Sequence, residues 1–440
     1  MFSIAPRTGS ACGLLDVAVF AYGTLDMPDG QALMTPSLGR QLGMSRDNSL
    51  IVISYIFHGS SVGLYQNVLP IFVETLGARP EQVGQLVALQ AASSVLAIFV
   101  SSFMVGRFSY RKQLIVAWVL DAVSGAIFVF APSWHVVAIG MALSGMVNFV
   151  IPACSCYVIA AADGQPAHVV FGNLFTASVA GGLVSGILGG AIIVSSGIGW
   201  LFVVAFAAKI VALVTMCKIS ERGPDPADRL LNVARGGSFG SAFFVPLRSM
   251  QFRVLHLSLA ALYFGTSVGM ALMPNYLHER VGLDLWMVAI SGSVTAVVSI
   301  AGTMTLGRLA VRLGALRCLL IAQAVAVSCC ALALLAPSLG RWSLPIGIIG
   351  FGSRGILTVQ SSLSRSLVTY MLGKQTAGAG YALQSTLLQS VNVVSAMIAG
   401  HLYMIDPAMP IAMSILIGLV AIACLASSSD PSRALTGGRP

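Results

Sequence analysis

The sequence predicts an all-α membrane protein, with twelve transmembrane helices arranged as two pseudo-symmetric six-helix bundles. Three observations predict it. The 440 residues are 57% hydrophobic and 9% charged, with a mean hydropathy of +0.89. Soluble domains carry about 25% charge, so this chain has too little polar surface to cover a water-soluble core and belongs in a bilayer. The basic stretch Gly106-Arg-Phe-Ser-Tyr-Arg-Lys112 returns about two hundred residues later as Gly307-Arg-Leu-Ala-Val-Arg-Leu-Gly314, each between long apolar runs. Duplication on that scale is how many transporters are built. The basic residues also alternate between connecting loops, as an even number of spans requires.

Residues 1–48 precede the first good span. Ala11 to Gly23 is apolar but only 13 residues long and contains Asp16, too short for a core that needs about twenty. This segment is read as a cytoplasmic extension, with Met44 an alternative start. The spans are expected at 50–73, 83–105, 113–132, 135–161, 170–195, 199–217, 254–276, 286–306, 317–337, 342–364, 376–401 and 408–427. They divide into bundles at 49–217 and 254–427, joined by a linker at 218–253 and followed by a tail at 428–440. Arginine and lysine number nineteen on the side that faces the cytoplasm if the N-terminus is inside. The opposite loops hold three, Arg79, Arg280 and Arg341. That asymmetry places both termini in the cytoplasm of a cell whose inner membrane holds the chain. The formal net charge of +9 is therefore a topology signal, and no nucleic-acid partner is expected. The linker mixes Phe239, Phe243, Phe244 and Phe252 with Arg248 and Arg253, as a tether or a short surface helix would.

No disulfide framework or metal spacing emerges from the eight cysteines. Cys154, Cys156, Cys217, Cys318, Cys329, Cys330 and Cys424 fall in or beside apolar runs and read as small buried side chains. Paired histidines, a nucleophile elbow and a phosphate-binding glycine loop are all missing, and no cofactor or enzyme activity is expected.

With these spans in place, the chain from about residue 50 to 427 resembles the major facilitator superfamily of secondary transporters. That family carries a pattern close to Gly-x-Leu-Ala-Asp-Arg-x-Gly-Arg-Arg between its second and third helices, and a weaker copy between the eighth and ninth. Here the first copy keeps Gly106, Arg107, Arg111 and Lys112, with Tyr110 in the acidic place. The second keeps Gly307, Arg308, Leu309, Ala310, Arg312 and Gly314, with Val311 in that place. The resemblance implies a gating role for these loops. The fifth span reads Gly182-Leu-Val-Ser-Gly186-Ile-Leu-Gly189-Gly190, similar to the exporters' Gly-x-x-x-Gly-Pro-x-Gly-Gly with Ile187 for the proline, and glycines so spaced also permit close helix packing. The arginine that many proton-driven exporters carry in the fourth span is replaced by Met141. Implied are alternating access, efflux of a drug-like compound or metabolite, and a monomer; import of a small metabolite, anionic ones included, or sensing, is the alternative.

Polar residues within spans are functional candidates, because a charge there costs several kcal/mol. Three charges qualify: Asp121, Lys209 and Arg354. Asp121 lies about 12 Å into the third span and Lys209 about 12 Å into the sixth from the same side, so a buried ion pair between them is expected. Arg354, about 18 Å along the tenth span, needs planar acceptors and is expected to meet a carboxylate or phosphate of the solute. His58, the only histidine well inside a span, can carry a coupling proton. In the family's fold, spans 1, 4, 7 and 10 line the cavity. That adds Tyr65, Gln66, Asn148, Tyr263 and Gln360 as solute contacts, with Gln90, Gln384, Gln389 and Asn392 behind them.

Overall fold

A computed structural model describes residues 45–105, 107–161, 167–221, 250–372 and 377–426. Residues 1–44 of the expected leader, most of the linker, the tail and Gly106 lie outside them, whereas residues 45–48 are not leader but the N-cap and first turn of α1, with Asp47 and Asn48 buried. Helices α1 (Arg46–Tyr65), α2 (Leu69–Thr75), α3 (Pro80–Met104), α4 (Tyr110–Phe130), α5 (Trp134–Met146), α6 (Val150–Ala160), α7 (Ala167–Ser196) and α8 (Ile198–Met216) form the first half. The second comprises α9 (Met250–Met270), α10 (Met273–Tyr276), α11 (Leu285–Leu313), α12 (Ala315–Leu335), α13 (Ser343–Phe351), α14 (Ser353–Leu372), α15 (Ala377–Ile405) and α16 (Met409–Ala426). Together they make twelve helical runs among the described residues. Nine stretches are long and apolar enough to cross a membrane, and one of these, Ala315–Arg365, holds two of the expected spans. Met409–Cys424 is a shorter apolar helix.

The first, fourth, seventh and tenth runs are the broken ones. α1 gives way to α2 at Gln66–Val68, just ahead of Pro70, and Val68 N–H turns back to the Tyr65 carbonyl at 3.0 Å. α5 meets α6 through a tight turn at Val147–Phe149, because Pro152 has no N–H for the Asn148 carbonyl. α9 stops before Pro274, and a π-helical turn at Leu277–Val281 follows α10. α13 passes to α14 at Gly352. Breaks of this kind inside a membrane are tolerated where backbone lines a site or is buried in protein.

Two seams join the halves. α3 lies along α15 and α7 along α11, and exchanging the halves turns one seam into the other. Glycine makes both close. A Cβ on Gly84 would stand 2.6 Å from the Ala396 carbonyl, and one on Gly186 2.3 Å from Ser293 Oγ. Gly190 likewise admits Ile290, while Gly181 and Gly189 admit α1 at Ile56 and Leu64. Gly182 does its packing from the other side, since a Cβ on Gly63 would come 2.8 Å from its Cα. Remote from the start of α1 and the end of α16, one buried apolar core draws Leu64, Val68, Leu272, Met273, Leu277 and Phe351 from both halves, closing that far face.

Three expectations need correction. The second basic stretch is not a turn: α11 runs through Gly307, Arg308 and Arg312 to Leu313, and the chain turns at Gly314, with φ +86°. Leu309, Ala310 and Leu313 sustain the helix, and only Gly314 readily takes that backbone. α14 continues to Leu372, not 364, so Arg365 sits within a helix as a fourth interior charge and leaves the loop count. α9 begins at Met250, so His256 is a second histidine inside a span, buried and packed against Phe252 with the rings tilted and 3.8 Å between their centres.

Candidate functional site

Helices α1, α4 and α8 build a charged cluster in the first half. Lys209 Nζ donates to Asp121 Oδ1 at 2.6 Å, to Ser124 Oγ at 3.0 Å and to Tyr65 Oη at 3.3 Å. Asp121 is 2% and Lys209 1% exposed, so the lysine does not reach for the headgroups. Its stem passes over Gly125, where a Cβ would stand 2.8 Å from Lys209 Cδ. The other carboxylate oxygen, Asp121 Oδ2, lies 2.7 Å from His58 Nδ1. His58 is only partly buried, and its ring packs on Trp118, whose Nε1 donates to Ser54 Oγ at 2.6 Å. The carboxylate is thus shared between a permanent cation and a titratable one. With His58 neutral the cluster carries no net charge; a proton on the imidazole makes it +1.

The second half answers with neutral groups. Gln323 Oε1 accepts from Gln360 Nε2 at 2.7 Å and from Thr266 Oγ1 at 3.0 Å, all three buried. Gln360 is therefore turned into its own bundle. Six residues along a helix from Arg354 rotate it by about a third of a turn, so the two residues do not share a face.

Arg354 reaches across the halves. Its Nη1 donates to Asn67 Oδ1 at 2.6 Å, and its guanidinium carbon lies 5.3 Å from the Phe351 ring centre. Asn67 occupies the break between α1 and α2, and Arg354 follows the break between α13 and α14. No other hydrogen bond from the guanidinium is present among the described residues.

The other candidates divide. Asn148 donates to Ser94 Oγ at 2.9 Å and to the Gly145 carbonyl at 3.2 Å, a helix-to-helix contact. Gln90 donates to Ser144, Gln384 to Ser364 and Asn392 to Gln389. Tyr65 belongs to the lysine's shell. Gln66 is exposed at the first break. Tyr263 lines a small cleft with Leu259, Gln360, Ser364 and Leu388, and with Tyr55 and Tyr381 it is an electrostatic neighbour of Arg365. Arg111 Nη2 donates to the Cys217 carbonyl at the end of α8 at 2.8 Å, and Nη1 lies 3.4 Å from Glu221 Oε2. It caps a helix of its own half. Arg107 is exposed, and Lys112 follows the α4 N-cap Ser109.

Sequence reasoning missed Asn67, Asn275 and Arg365. Asn67 and Asn275 had a signal: each stands within three residues of a proline that breaks its helix.

A family model described as "Major Facilitator Superfamily" matches residues 51–397. The multi-drug resistance efflux pump PmrA of Streptococcus pneumoniae is 25% identical over 168 residues, 37% of this chain and 42% of that protein. The match therefore spans about two-fifths of that relative's length. Among solved structures, a variant of the nucleoside transporter NupG superposes with a TM-score of 0.69 at 9% identity, covering 86% of this chain and 99% of that one. A D-xylose-proton symporter gives 0.65 at 12% identity, with coverage of 88% and 98%. The human organic anion transporter MFSD10 gives 0.58 at 15% identity, with coverage of 89% and 100%. At these identities the likeness concerns the fold.

Proposed function

The chain belongs to the Major Facilitator Superfamily, a family of multi-pass membrane transporters and not of enzymes, and from that premise we propose that it exports a small solute carrying a negative or electron-rich group, by alternating access in exchange for protons. The observation that carries the reading is the bond from Arg354 to Asn67. A guanidinium near the middle of a membrane is held by a neutral amide of the opposite half. A solute carboxylate or phosphate is a better partner for the planar fork than one amide oxygen. By taking Asn67's place it would cut a contact between the halves, so occupancy and rocking become one event. The charged cluster supplies the proton side, because His58 can add a charge beside Asp121 without breaking the Lys209 pair. Export is supported by the glycine run of α7 and by the partial likeness to PmrA. The basic loops favour an inner membrane with both termini in the cytoplasm.

The test is solute binding and transport by R354K and R354Q after membrane insertion is verified. Weakened binding in R354K and its loss in R354Q are expected; normal affinity and rate in R354Q would refute the role. Accumulation by everted vesicles but not by right-side-out vesicles is expected of an exporter, and the reverse would make the chain an importer.

A further inference from the structure

Glu74 closes the far face from α2. Its Oε1 is buried and makes no hydrogen bond, and Asn275, 0% exposed, has neither its amide nitrogen nor its amide oxygen bonded. The Asn275 amide lies near enough to favour the ionised carboxylate, yet no bond of good geometry joins them. The two residues come from opposite halves, one after the first helix break and one after the seventh-run break. α2 packs on α10, α3 and α5. From the α10 side His278, Glu279 and Arg280 face this region. Arg79 and Glu81 stand at the start of α3, His135 at the start of α5, and Tyr403 comes from α15. Glu279 accepts from Tyr403 Oη at 2.9 Å, Arg280 lies 3.4 Å from Asp406, and His401 lies 3.4 Å from Glu81. Arg280 and His401 are thus drawn toward other acids, His278 Nδ1 lies 2.7 Å from the Leu283 carbonyl, and Glu279 adds a like charge beside Glu74.

We propose that Glu74 is a proton-binding site whose occupancy holds the far face shut, with the carboxylic acid's O–H free to donate to the unbonded Asn275 oxygen between the halves. The inference rests on the reading that the halves rock, but not on Arg354 or on any particular solute. Removal from water, with Glu279 adding to it, raises the Glu74 carboxyl from 4.5 to about 7, against the pull of Asn275 and His278. An opened far face returns Glu74 to water and its ordinary value. The closed form therefore binds the proton more tightly. Its advantage is fully present below the ordinary value of 4.5 and is lost as pH rises through about 7. Linkage bounds the change in the closed-to-open ratio at about three-hundredfold.

Hydrogen exchange of the purified full chain in nanodiscs, without solute, tests this over residues 69–83 and 270–283. Rates are corrected for the intrinsic effect of pH. Protection should fall between pH 5.5 and 8.5 in the wild type, and E74Q should stay protected at both. E279Q should move the transition to lower pH, which a purely structural role would not do, and it keeps the test decisive if E74Q fails to insert. H401Q should leave the transition in place, and H278Q should keep it but move it to higher pH. Equal wild-type protection at both pH values, or a transition unmoved by E279Q, would overturn the proposal. If that happened while R354Q still lost solute binding, the gate would fail and the transport reading would stand.

Discussion

The two halves solve the same problem with different chemistry. In the first, helices α1, α4 and α8 meet around a fully buried Asp121 and Lys209 with His58 beside them. In the second, α9, α12 and α14 meet around Thr266, Gln323 and Gln360. Gln323 stands one residue from where Asp121 falls when the two basic stretches are aligned. An amide network can only hold helices together. A carboxylate between a lysine and a histidine can also change charge. The difference is what supports the proposal that proton handling lies in the first half and mechanics in the second.

Breaking the charged side should have the largest effect. D121A or K209A alone strands a buried charge and should cost about 3–5 kcal/mol of stability, read as denaturation of the purified protein in detergent. Replacing both with apolar residues of similar size should restore most of it, and additive single effects would contradict the pair. G125A comes next. Its new methyl presses on the Lys209 stem and should cost about 1–3 kcal/mol in the wild type but less in the K209A background. Q323A is the smallest. A membrane-interior hydrogen bond is worth about 0.6 kcal/mol on average, and Gln323 accepts two while its Nε2 is unbonded, so the same denaturation measurement should move by only about 1 kcal/mol. A loss comparable to that of D121A would erase the contrast.

Much of this was legible from the chain. The twelve spans follow from hydrophobic runs longer than any soluble helix needs. Equal depth from the same side brought Asp121 and Lys209 together. Depth says nothing about azimuth, however, so His58 could be singled out as a histidine inside a span but not as the neighbour of Asp121. Nor could depth turn Gln360 away from Arg354, which required knowing the helix phase relative to its partners. Arg365 was hidden because polar serines around it mimic a helix end. The Arg354–Asn67 and Glu74–Asn275 contacts join residues more than two hundred positions apart, and no local pattern reports which faces of two bundles meet.

The most direct test of the division between the halves compares D121N, H58Q and Q323A in everted vesicles, after a transported compound has been found by export profiling against drugs and organic acids. Transport is measured with and without a protonophore. The wild type and Q323A should lose most of their transport when the proton gradient collapses, whereas D121N and H58Q should show little gradient-driven transport to lose. Gradient-driven transport intact in both D121N and H58Q, or abolished in Q323A alone, would contradict the account.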